Sequence, residues 1–245
     1  MTDEKMLEEE KRVGALLGRE NELHARGITL VGGIDEAGRG PLVGPVVASC
    51  VILPPDFFVP YLNDSKKVTE KRREAMFPQI IEGAVSVGVG LATPEEIDDV
   101  NILNTTYMAM RRAVKAMKVK PAYVLNDAVH IPDLGIEQES VVKGDAKIAC
   151  ISAASVVAKV TRDNIMREYD SLVPEYHFSR HKGYPTRAHY EILGQYGVLP
   201  IYRRSFLRKR IEAGTLVVTE NKVDLPDPYD LADEFLKGYG LSVVR

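Results

Sequence analysis

The sequence predicts an α/β protein in which helices flank both sides of a mixed sheet. Hydrophobic residues make up 45% and charged residues 27% of its 245 residues, as in an ordinary globular chain. Three β-type runs come early and in hairpin order, and later apolar runs alternate with helical segments. Hairpin-ordered strands pair antiparallel, whereas strands joined through a helix pair in parallel, so both kinds of pairing are expected.

Residues 1–27 are predicted as an N-terminal helical extension, because they are charged and amphipathic up to Gly27. The apolar run that follows is a strand that ends near a Gly-Arg-Gly-Pro turn, and Pro54 and Pro55 close the second strand. Residues 84–92 alternate in polarity, which predicts a half-buried strand. The strands predicted along the chain are residues 28–34, 46–53, 84–92, 122–126 and 140–142.

Helical segments are predicted between and after these strands. One begins at Thr93, since Thr93, Pro94 and Glu96 provide an N-cap, a first-turn proline and a capping-box glutamate. A single long helix is predicted over residues 145–172, whose alanines and serines permit close packing on a sheet. The other predicted helices are residues 65–82, 102–118 and 186–196. Residues 211–245 are acidic and contain prolines, and they are predicted as a small C-terminal appendage.

Composition excludes several classes of protein. The uncharged run from Val43 to Leu53 is far shorter than the roughly 18 residues that a membrane span needs. The acidic N-terminus has no apolar signal core, so a cytoplasmic location without membrane contact is expected. Cys50 and Cys150 have no histidine or cysteine at metal-ligand spacing, so neither a zinc site nor a disulfide framework is expected.

The net charge of −3 conceals one basic region. Residues 141–210 contain 13 lysines and arginines but only 6 aspartates and glutamates. A local excess of basic side chains is typical of a polyanion site, and it is equally compatible with a solvated helix surface.

Four carboxylates are the candidate catalytic and metal-binding groups. Asp35 and Glu36 end the apolar run LVGGI, Asp127 follows AYVLN, and Asp145 opens the long helix. Each taken singly is also compatible with a carboxylate that faces water or pairs with arginine. Strand ends in an α/β sheet converge at one edge, so the four groups are expected to meet there and repel one another. Oxygen-only ligands favour a pair of Mg²⁺ or Mn²⁺ ions, which is the machinery of phosphodiester hydrolysis.

A glycine–arginine–glycine turn comes directly after the first acidic pair. Gly38 and Gly40 allow the backbone to approach a ligand closely, and Arg39 between them can hold a phosphate. The turn alone is weak evidence, because a solvated arginine in a turn has the same sequence. Its position beside Asp35 and Glu36 makes it a candidate for substrate binding.

Five blocks carry a resemblance to a known family. They contain GIDEAGRGPL, NDSKK, VKGDAK, SAAS followed by AKVTRD, and HKGY, and they lie in that order between residues 28 and 210. In sequence, order and separation they closely resemble the bacterial type 2 ribonuclease H family, ribonuclease HII. The resemblance implies a ribonuclease H-like catalytic domain over residues 28–210.

The resemblance also implies an activity. Members of this family hydrolyse the RNA strand of RNA–DNA hybrids and cut on the 5′ side of ribonucleotides embedded in duplex DNA. Two-metal catalysis with Mn²⁺ or Mg²⁺, products with 3′-hydroxyl and 5′-phosphate ends, and a role in ribonucleotide removal during DNA replication and repair are implied as well. The expected partner is nucleic acid, and the expected oligomeric state is a monomer.

Residue roles carry over position by position. Asp35, Glu36, Asp127 and Asp145 match the family's metal-binding carboxylates. Gly38, Arg39 and Gly40 match its loop that senses the 2′-hydroxyl, and Tyr184 matches a tyrosine that packs on the sugar. Phosphate contacts are expected of basic residues that lie in or beside these blocks: Lys66, Lys67, Lys143, Lys159, Arg162 and Lys182.

Two features depart from the family or leave its functions open. Asn126 stands where a small apolar residue usually precedes the third carboxylate, which predicts altered hydrogen bonding around Asp127. Residues 211–245 match no family feature.

A catalytically idle nucleic-acid-binding relative would lack a metal ligand, and none is lost here. A junction resolvase of the same fold would lack the Gly-Arg-Gly loop paired with a tyrosine.

Overall fold

The computed structural model describes residues 2–245, and within them five strands form one sheet in the order β3-β2-β1-β4-β5. The strands are β1 (Val31–Ala37), β2 (Val46–Ile52), β3 (Ser86–Ala92), β4 (Tyr123–Asp127) and β5 (Glu137–Val141). β1 pairs antiparallel with β2, and β2 pairs antiparallel with β3. β4 joins β1 in parallel on the other side and β5 continues in parallel, so the predicted mixed sheet is confirmed.

Helices pack on both faces of this sheet, as predicted. The helices are α1 (Asp3–Leu16), α2 (Gly18–Ala25), α3 (Glu70–Gly83), α4 (Pro94–Val100), α5 (Ile102–Ala116), α6 (Ala149–Leu172), α7 (Phe178–His181), α8 (Arg187–Tyr196), α9 (Arg204–Glu212) and α10 (Pro228–Lys237). Two 3-10 turns lie at Gly144–Ala146 and Pro174–Tyr176. One apolar core lies between the sheet and α5, and a larger core lies around α6 on the opposite face.

The N-terminal half of α6 packs very closely on the centre of the sheet. A Cβ atom added to Gly33 of β1 would lie 2.2 Å from the backbone carbonyl carbon of Cys150. Only glycine allows this approach, and the alanines and serines in the first half of α6 are buried against the sheet. The close packing fixes the start of α6 over the end of β1, where the candidate carboxylates lie.

Several element boundaries differ from the prediction. Asp35 and Glu36 lie within β1 and not beyond its end. The helix predicted from residue 65 begins at Glu70, and the long helix predicted from Asp145 begins at Ala149. Asp145 itself lies in the preceding 3-10 turn, because the extended backbone of Ile148 (φ −130°, ψ 127°) separates that turn from α6.

β3 is fully buried, so the prediction of a half-buried strand is wrong. It is an edge strand of the sheet, and α5 covers one of its faces. The C-terminal segment covers the rest: Val243 forms a parallel bridge with Val89, and the Tyr229 hydroxyl donates to the Leu91 carbonyl at 2.9 Å. The alternation of polarity within the strand could not reveal cover that comes from a segment so distant in sequence.

Residues 211–245 contribute to the core as well. α10 packs against α6 and buries Tyr229, Leu231 and Leu236. The division of the chain into residues 1–27, 28–210 and 211–245 remains a prediction. None of the helices within residues 2–245 has the length and hydrophobicity that a bilayer-spanning segment requires.

Candidate active site

The sheet topology brings Asp35 and Asp127 to the same edge. β1 and β4 are adjacent and parallel, with Ile34 in register with Asn126, so Asp35 and Asp127 occupy equivalent positions one residue later. Neighbouring strands lie about 4.8 Å apart, so these two acids and Glu36 are within electrostatic range of one another. The expectation that strand ends would gather these acids at one edge agrees with this register.

Asp145 reaches the same edge from the 3-10 turn between β5 and α6. The Gly144 backbone N–H donates a hydrogen bond of 2.8 Å to Oδ1 of Asp127, which ties the turn to the end of β4. Burial raises the pKa of Asp145, and the negative charges of Asp127 and Asp64 raise it further. Lys66, whose Nζ lies 4.0 Å from the Asp145 carboxylate, opposes that shift.

Asp35 is the most buried of the four carboxylates, with 3% of its surface exposed. Burial raises its pKa well above the usual range, and the charge of Glu36 is the next cause. Its Oδ1 accepts a hydrogen bond of 2.8 Å from the Glu36 backbone N–H. Within residues 2–245, no donor forms a hydrogen bond with its buried Oδ2. The Ser155 hydroxyl is near enough to favour the ionised form. A charged oxygen without a donor in such a place is stable only beside a cation.

Glu36 is less buried and has a cationic neighbour. Burial raises its pKa and Arg39 lowers it, with the Arg39 guanidinium 3.4 Å from Oε1 of Glu36. Asp127 also raises the pKa of Glu36, which shows that the two carboxylates share one electrostatic environment.

The carboxylates are neighbours that are held by separate protein partners. Across residues 2–245, no three His, Cys, Asp or Glu side chains converge closely enough to form a ligand set for one ion. Like charges at this edge repel, and each carboxylate turns toward its own backbone N–H or basic side chain. The four carboxylates nonetheless offer only oxygen atoms as ligands, they share one electrostatic environment, and Oδ2 of Asp35 has no hydrogen-bond partner among the described residues. Such a set of ligands fits hard divalent cations.

Asp64 is a fifth carboxylate at this edge, and it was not among the acids predicted from the sequence. Its charge raises the pKa of Asp145, and its Oδ1 accepts the Lys66 backbone N–H at 2.9 Å. The available signal was its position in the NDSKK block. In the same block, the Ser65 hydroxyl hydrogen-bonds the Ser155 hydroxyl at 2.8 Å, which anchors the block beside Asp35.

Two adjoining clefts open at the carboxylates, and Lys66 lines both. One cleft, of about 310 Å³, is lined by residues 36–40 together with Lys159 and Tyr184. The other, of about 380 Å³, is lined by residues that include Asp64, Asp127, Lys143 and Asp145. The opening formed by these two clefts, which share Lys66, is lined by three of the four carboxylates together with residues 38–40, Lys143 and Tyr184, while Asp35 is buried next to Glu36.

Gly38, Arg39 and Gly40, hereafter the GRG loop, form one wall of this opening. Gly38 has a φ of +100°, and a Cβ atom there would lie 2.2 Å from Nε of Arg162. A Cβ atom on Gly40 would lie 3.4 Å from the ring of Tyr184, whose side chain is 43% exposed. The tyrosine ring thus packs directly beside Gly40 of the loop.

The guanidinium of Arg162 is buried and therefore not accessible to phosphate, contrary to the expectation. It is 1% exposed and donates to the backbone carbonyl oxygens of Val43, Pro45 and Lys182 at 3.0–3.1 Å. Lys159 is largely buried, and its Nζ pairs with the Asp163 carboxylate at 2.5 Å. Of the basic residues considered, those with exposed side chains beside the clefts are Lys66, Lys67 and Lys143.

A layer of two histidines supports the Tyr184 segment. The His189 ring hydrogen-bonds the Tyr184 carbonyl at 2.9 Å through Nδ1 and the Tyr202 hydroxyl at 2.7 Å through Nε2. His181 stacks on it with ring centroids 4.0 Å apart and accepts the Gly183 N–H. Burial lowers the pKa of His189 to about 4, so its ring is neutral above that pH.

Asn126 acts on the opposite face of the sheet from Asp127. Its Nδ2 donates to Oε1 of Gln138 at 2.8 Å, and Gln138 in turn bonds both the N–H and the carbonyl of Ile131. Asn126 therefore fixes the loop that follows β4, and it makes no hydrogen bond to the Asp127 carboxylate. Its own Oδ1 is buried without a partner.

Comparisons with known proteins agree on one family. The family model for ribonuclease HII matches residues 32–209. A ribonuclease HII of Caldanaerobacter subterraneus subsp. tengcongensis is 50% identical over 199 residues, which cover 81% of this chain and 83% of that protein.

Solved structures agree as well. The ribonuclease H2 of Pyrococcus horikoshii OT3 is 31% identical, with a TM-score of 0.59, and the match covers 75% of this chain and 97% of that one. The Mn²⁺ complex of Bst-RNase HIII, 15% identical with a TM-score of 0.50, shares the fold over 70% of this chain and 63% of that one.

Proposed function

The chain belongs to the ribonuclease HII family and is a metal-dependent endoribonuclease, and we propose how its residues divide that work. It hydrolyses the RNA strand of RNA–DNA hybrids. We further propose that it cuts on the 5′ side of a ribonucleotide embedded in duplex DNA and leaves 3′-hydroxyl and 5′-phosphate ends. This activity suits a role in removing ribonucleotides during DNA replication and repair.

One observation carries the proposal: the GRG loop and three of the four carboxylates line two clefts that share Lys66, and Asp35 lies beside Glu36. Asp35 and Glu36 stand directly before the loop on β1, and Asp127 and Asp145 are joined through Gly144. Only Ala37 separates Glu36 from the loop in the sequence, so the proposed hydrolytic centre lies beside a backbone segment suited to contact a sugar. The closeness of these two groups favours a nuclease that selects ribose over a general phosphodiesterase.

We propose Asp35, Glu36, Asp127 and Asp145 as the residues that hold two divalent ions, with either Mn²⁺ or Mg²⁺ suitable. Bound ions would supply an activated water and stabilise the oxygen that leaves. Burial and the neighbouring carboxylates raise the pKa values of Asp35, Glu36 and Asp145, and this direction supports cation binding there. The chain itself orients these acids through the Glu36 and Gly144 N–H groups.

Substrate selection is assigned to the two walls of the cleft. The GRG loop presents backbone groups, which can distinguish ribose from deoxyribose by hydrogen bonding to the 2′-hydroxyl. The Tyr184 ring beside the loop packs on the sugar, since it is exposed and its backbone is held by His189. Arg39 is exposed and lies beside the carboxylates. It can therefore bind a phosphate of the substrate in place of its ion pair with Glu36.

Lys66 and Lys143 are proposed as phosphate contacts that position the duplex. Both are exposed beside the carboxylates. Lys143 has a left-handed backbone and directly precedes the turn that contains Asp145. Contacts of this kind align the strand and read no base sequence. A cytoplasmic monomer, with residues 28–210 as its catalytic domain, completes the proposal.

Incubation with a duplex DNA that contains one ribonucleotide tests this function. We expect a single nick on the 5′ side of the ribonucleotide in manganese or magnesium, and no nick after chelation with EDTA. An all-DNA duplex of the same sequence serves as the control. A chain that left the ribonucleotide duplex intact in both metals would refute the proposed activity.

A further inference from the structure

Arg203 lies beneath the GRG loop and is fully buried. Its guanidinium uses all of its nitrogen atoms on backbone carbonyl oxygens of the chain that forms the loop. Nη2 donates to Gly38 at 2.6 Å, and Nη1 donates to Arg39 at 3.1 Å and Pro41 at 2.8 Å. Nε and Nη2 both donate to Gly44, at 3.0 and 2.8 Å.

These hydrogen bonds determine which way the peptide groups of the loop face. A trans peptide is planar, so its N–H points away from its carbonyl. The Gly38 carbonyl turns inward to Arg203, and the N–H of Arg39 in the same peptide therefore turns outward. The Arg39 carbonyl also turns inward, which turns the Gly40 N–H outward. No hydrogen bond found in residues 2–245 is donated by either of these two N–H groups.

The charge of Arg203 makes this arrangement stiff. Its hydrogen-bond acceptors are all carbonyl dipoles, and Asp98, the acid that favours its charge, is itself occupied by the N–H groups of Arg204 and Ser205. A buried guanidinium without acceptors costs several kcal/mol, so the loop cannot turn its carbonyls away without a large penalty. The ring of Phe206, 5.3 Å from the guanidinium carbon, packs on the remaining face.

We propose that Arg203 is a positioning residue that sets the selectivity of the GRG loop for ribose. It holds two backbone N–H groups toward the cleft, where they can meet a 2′-hydroxyl oxygen. The inference rests on the function proposed above, and it extends the selectivity of that site to a residue that does not touch substrate. Lysine cannot replace arginine here, because one ammonium group cannot reach carbonyls spread from residue 38 to residue 44.

Selectivity is measured in a steady-state cleavage assay with manganese and the full-length protein. The labelled substrate is the duplex with one ribonucleotide, and an unlabelled all-DNA duplex of the same sequence competes with it. The ratio of the Ki of the all-DNA duplex to the KM of the ribonucleotide duplex reports discrimination. A smaller folded fraction lowers only the maximal rate, so the ratio separates a positioning role from a merely structural one.

The test compares Arg203→Lys with Arg204→Lys, a matched change at the neighbouring residue, whose exposed guanidinium pairs with Glu220. We expect Arg203→Lys to lower the ratio by about tenfold to a hundredfold, as expected when a binding group is displaced by about 1 Å. Arg204→Lys should leave it unchanged. Wild-type cleavage together with an unchanged ratio in Arg203→Lys would overturn the positioning role alone, whereas absent wild-type cleavage would overturn the proposed function and the role together.

A second variant decides the question if Arg203→Lys does not fold. Asp98→Ala keeps the Arg203 guanidinium. It removes the carboxylate that accepts hydrogen bonds from the backbone N–H groups of the next two residues, Arg204 and Ser205. Loss of such a cap loosens the segment by about 1 kcal/mol, so a loss of discrimination of about fivefold is expected. A folded Asp98→Ala protein with the wild-type ratio would overturn the proposal.

Discussion

The Gly144 N–H and the Asp127 carboxylate are joined by a hydrogen bond of 2.8 Å that connects two parts of the candidate site. Asp127 ends β4, and Gly144 opens the 3-10 turn that carries Asp145. A single backbone donor thus sets the spacing between two acids 18 residues apart in the sequence. The other two carboxylates, Asp35 and Glu36 on β1, are placed by the parallel pairing of β1 with β4.

Replacement of Asp35 by Asn is expected to remove cleavage while duplex binding persists. The change keeps the shape of the side chain but removes the charge from the buried Oδ2. Metal ions contribute several kcal/mol of charge stabilisation, so the rate should fall by roughly a thousandfold or more. Cleavage rates and a manganese titration by calorimetry measure the two effects. Asp99→Asn, at an exposed acid of α4, is the control, and activity retained in Asp35→Asn would exclude Asp35 from the site.

Replacement of Tyr184 by Ala is expected to weaken productive binding. An aromatic ring that packs on a sugar is expected to contribute about 1–3 kcal/mol, the range for rings stacked on bases, so kcat/KM on the single-ribonucleotide duplex should fall about fivefold to 150-fold. Tyr184→Phe keeps the ring, and we expect it to retain nearly wild-type kcat/KM. If the phenylalanine variant were as impaired as the alanine variant, the contribution of Tyr184 would come from its hydroxyl group.

The stability of the protein should decrease in mild acid because of His189. The folded state lowers the pKa of this histidine from 6.5 to about 4, so the unfolded chain binds the proton first. Its stabilising contribution is therefore complete above pH 6.5 and is lost as the pH falls toward 4. A shift of this size corresponds to about 3 kcal/mol.

Denaturant unfolding of His189→Gln at pH 7 and pH 4 tests this dependence. The variant should lose about 3 kcal/mol less than the wild type over this interval. His130→Gln, at an exposed histidine, should match the wild type. Equal acid sensitivity in the wild type and His189→Gln would assign the effect to other groups, such as the stacked His181.

Replacement of Gly33 by Ala is expected to destabilise the protein severely. The added methyl group would lie 2.2 Å from the backbone of Cys150, so α6 must move away from the sheet. Overpacking against backbone costs about 3 kcal/mol or more, which thermal unfolding measures. Gly194→Ala is the matched control, since its Cβ would meet nothing within 4 Å in α8. That variant should gain about 0.5–1 kcal/mol, and a mild Gly33→Ala would show that α6 can shift freely.

The parts of the fold that follow from local pattern and chain order were predictable from the sequence. The mixed sheet follows from hairpin-ordered strands and later helical crossovers, and the capping box at Thr93 locates the start of α4. The gathering of Asp35 and Asp127 needs only the rule that parallel strand ends share an edge. The resemblance supplied the roles of Tyr184 and the GRG loop.

The remaining features depend on contacts between distant segments. Arg162 carries a charge that predicts exposure, and only the fold reveals the backbone carbonyls that compensate its burial. Arg203 lies far along the chain from Gly38, and nothing in its neighbourhood indicates that it holds the loop. Asp64 belonged to a recognised block, but its effect on Asp145 became evident only from their proximity.

The bridge between Val89 and Val243 has a consequence for self-association. An uncovered edge strand exposes unpaired N–H and carbonyl groups that can recruit a strand from another molecule. The C-terminal segment shields β3 from such recruitment, while β5, at the opposite edge, has the exposed Glu137, whose charge repels the same residue of an incoming copy. Shortening the chain before residue 243 should therefore promote aggregation through β3 before it impairs any chemistry at the far side of the sheet.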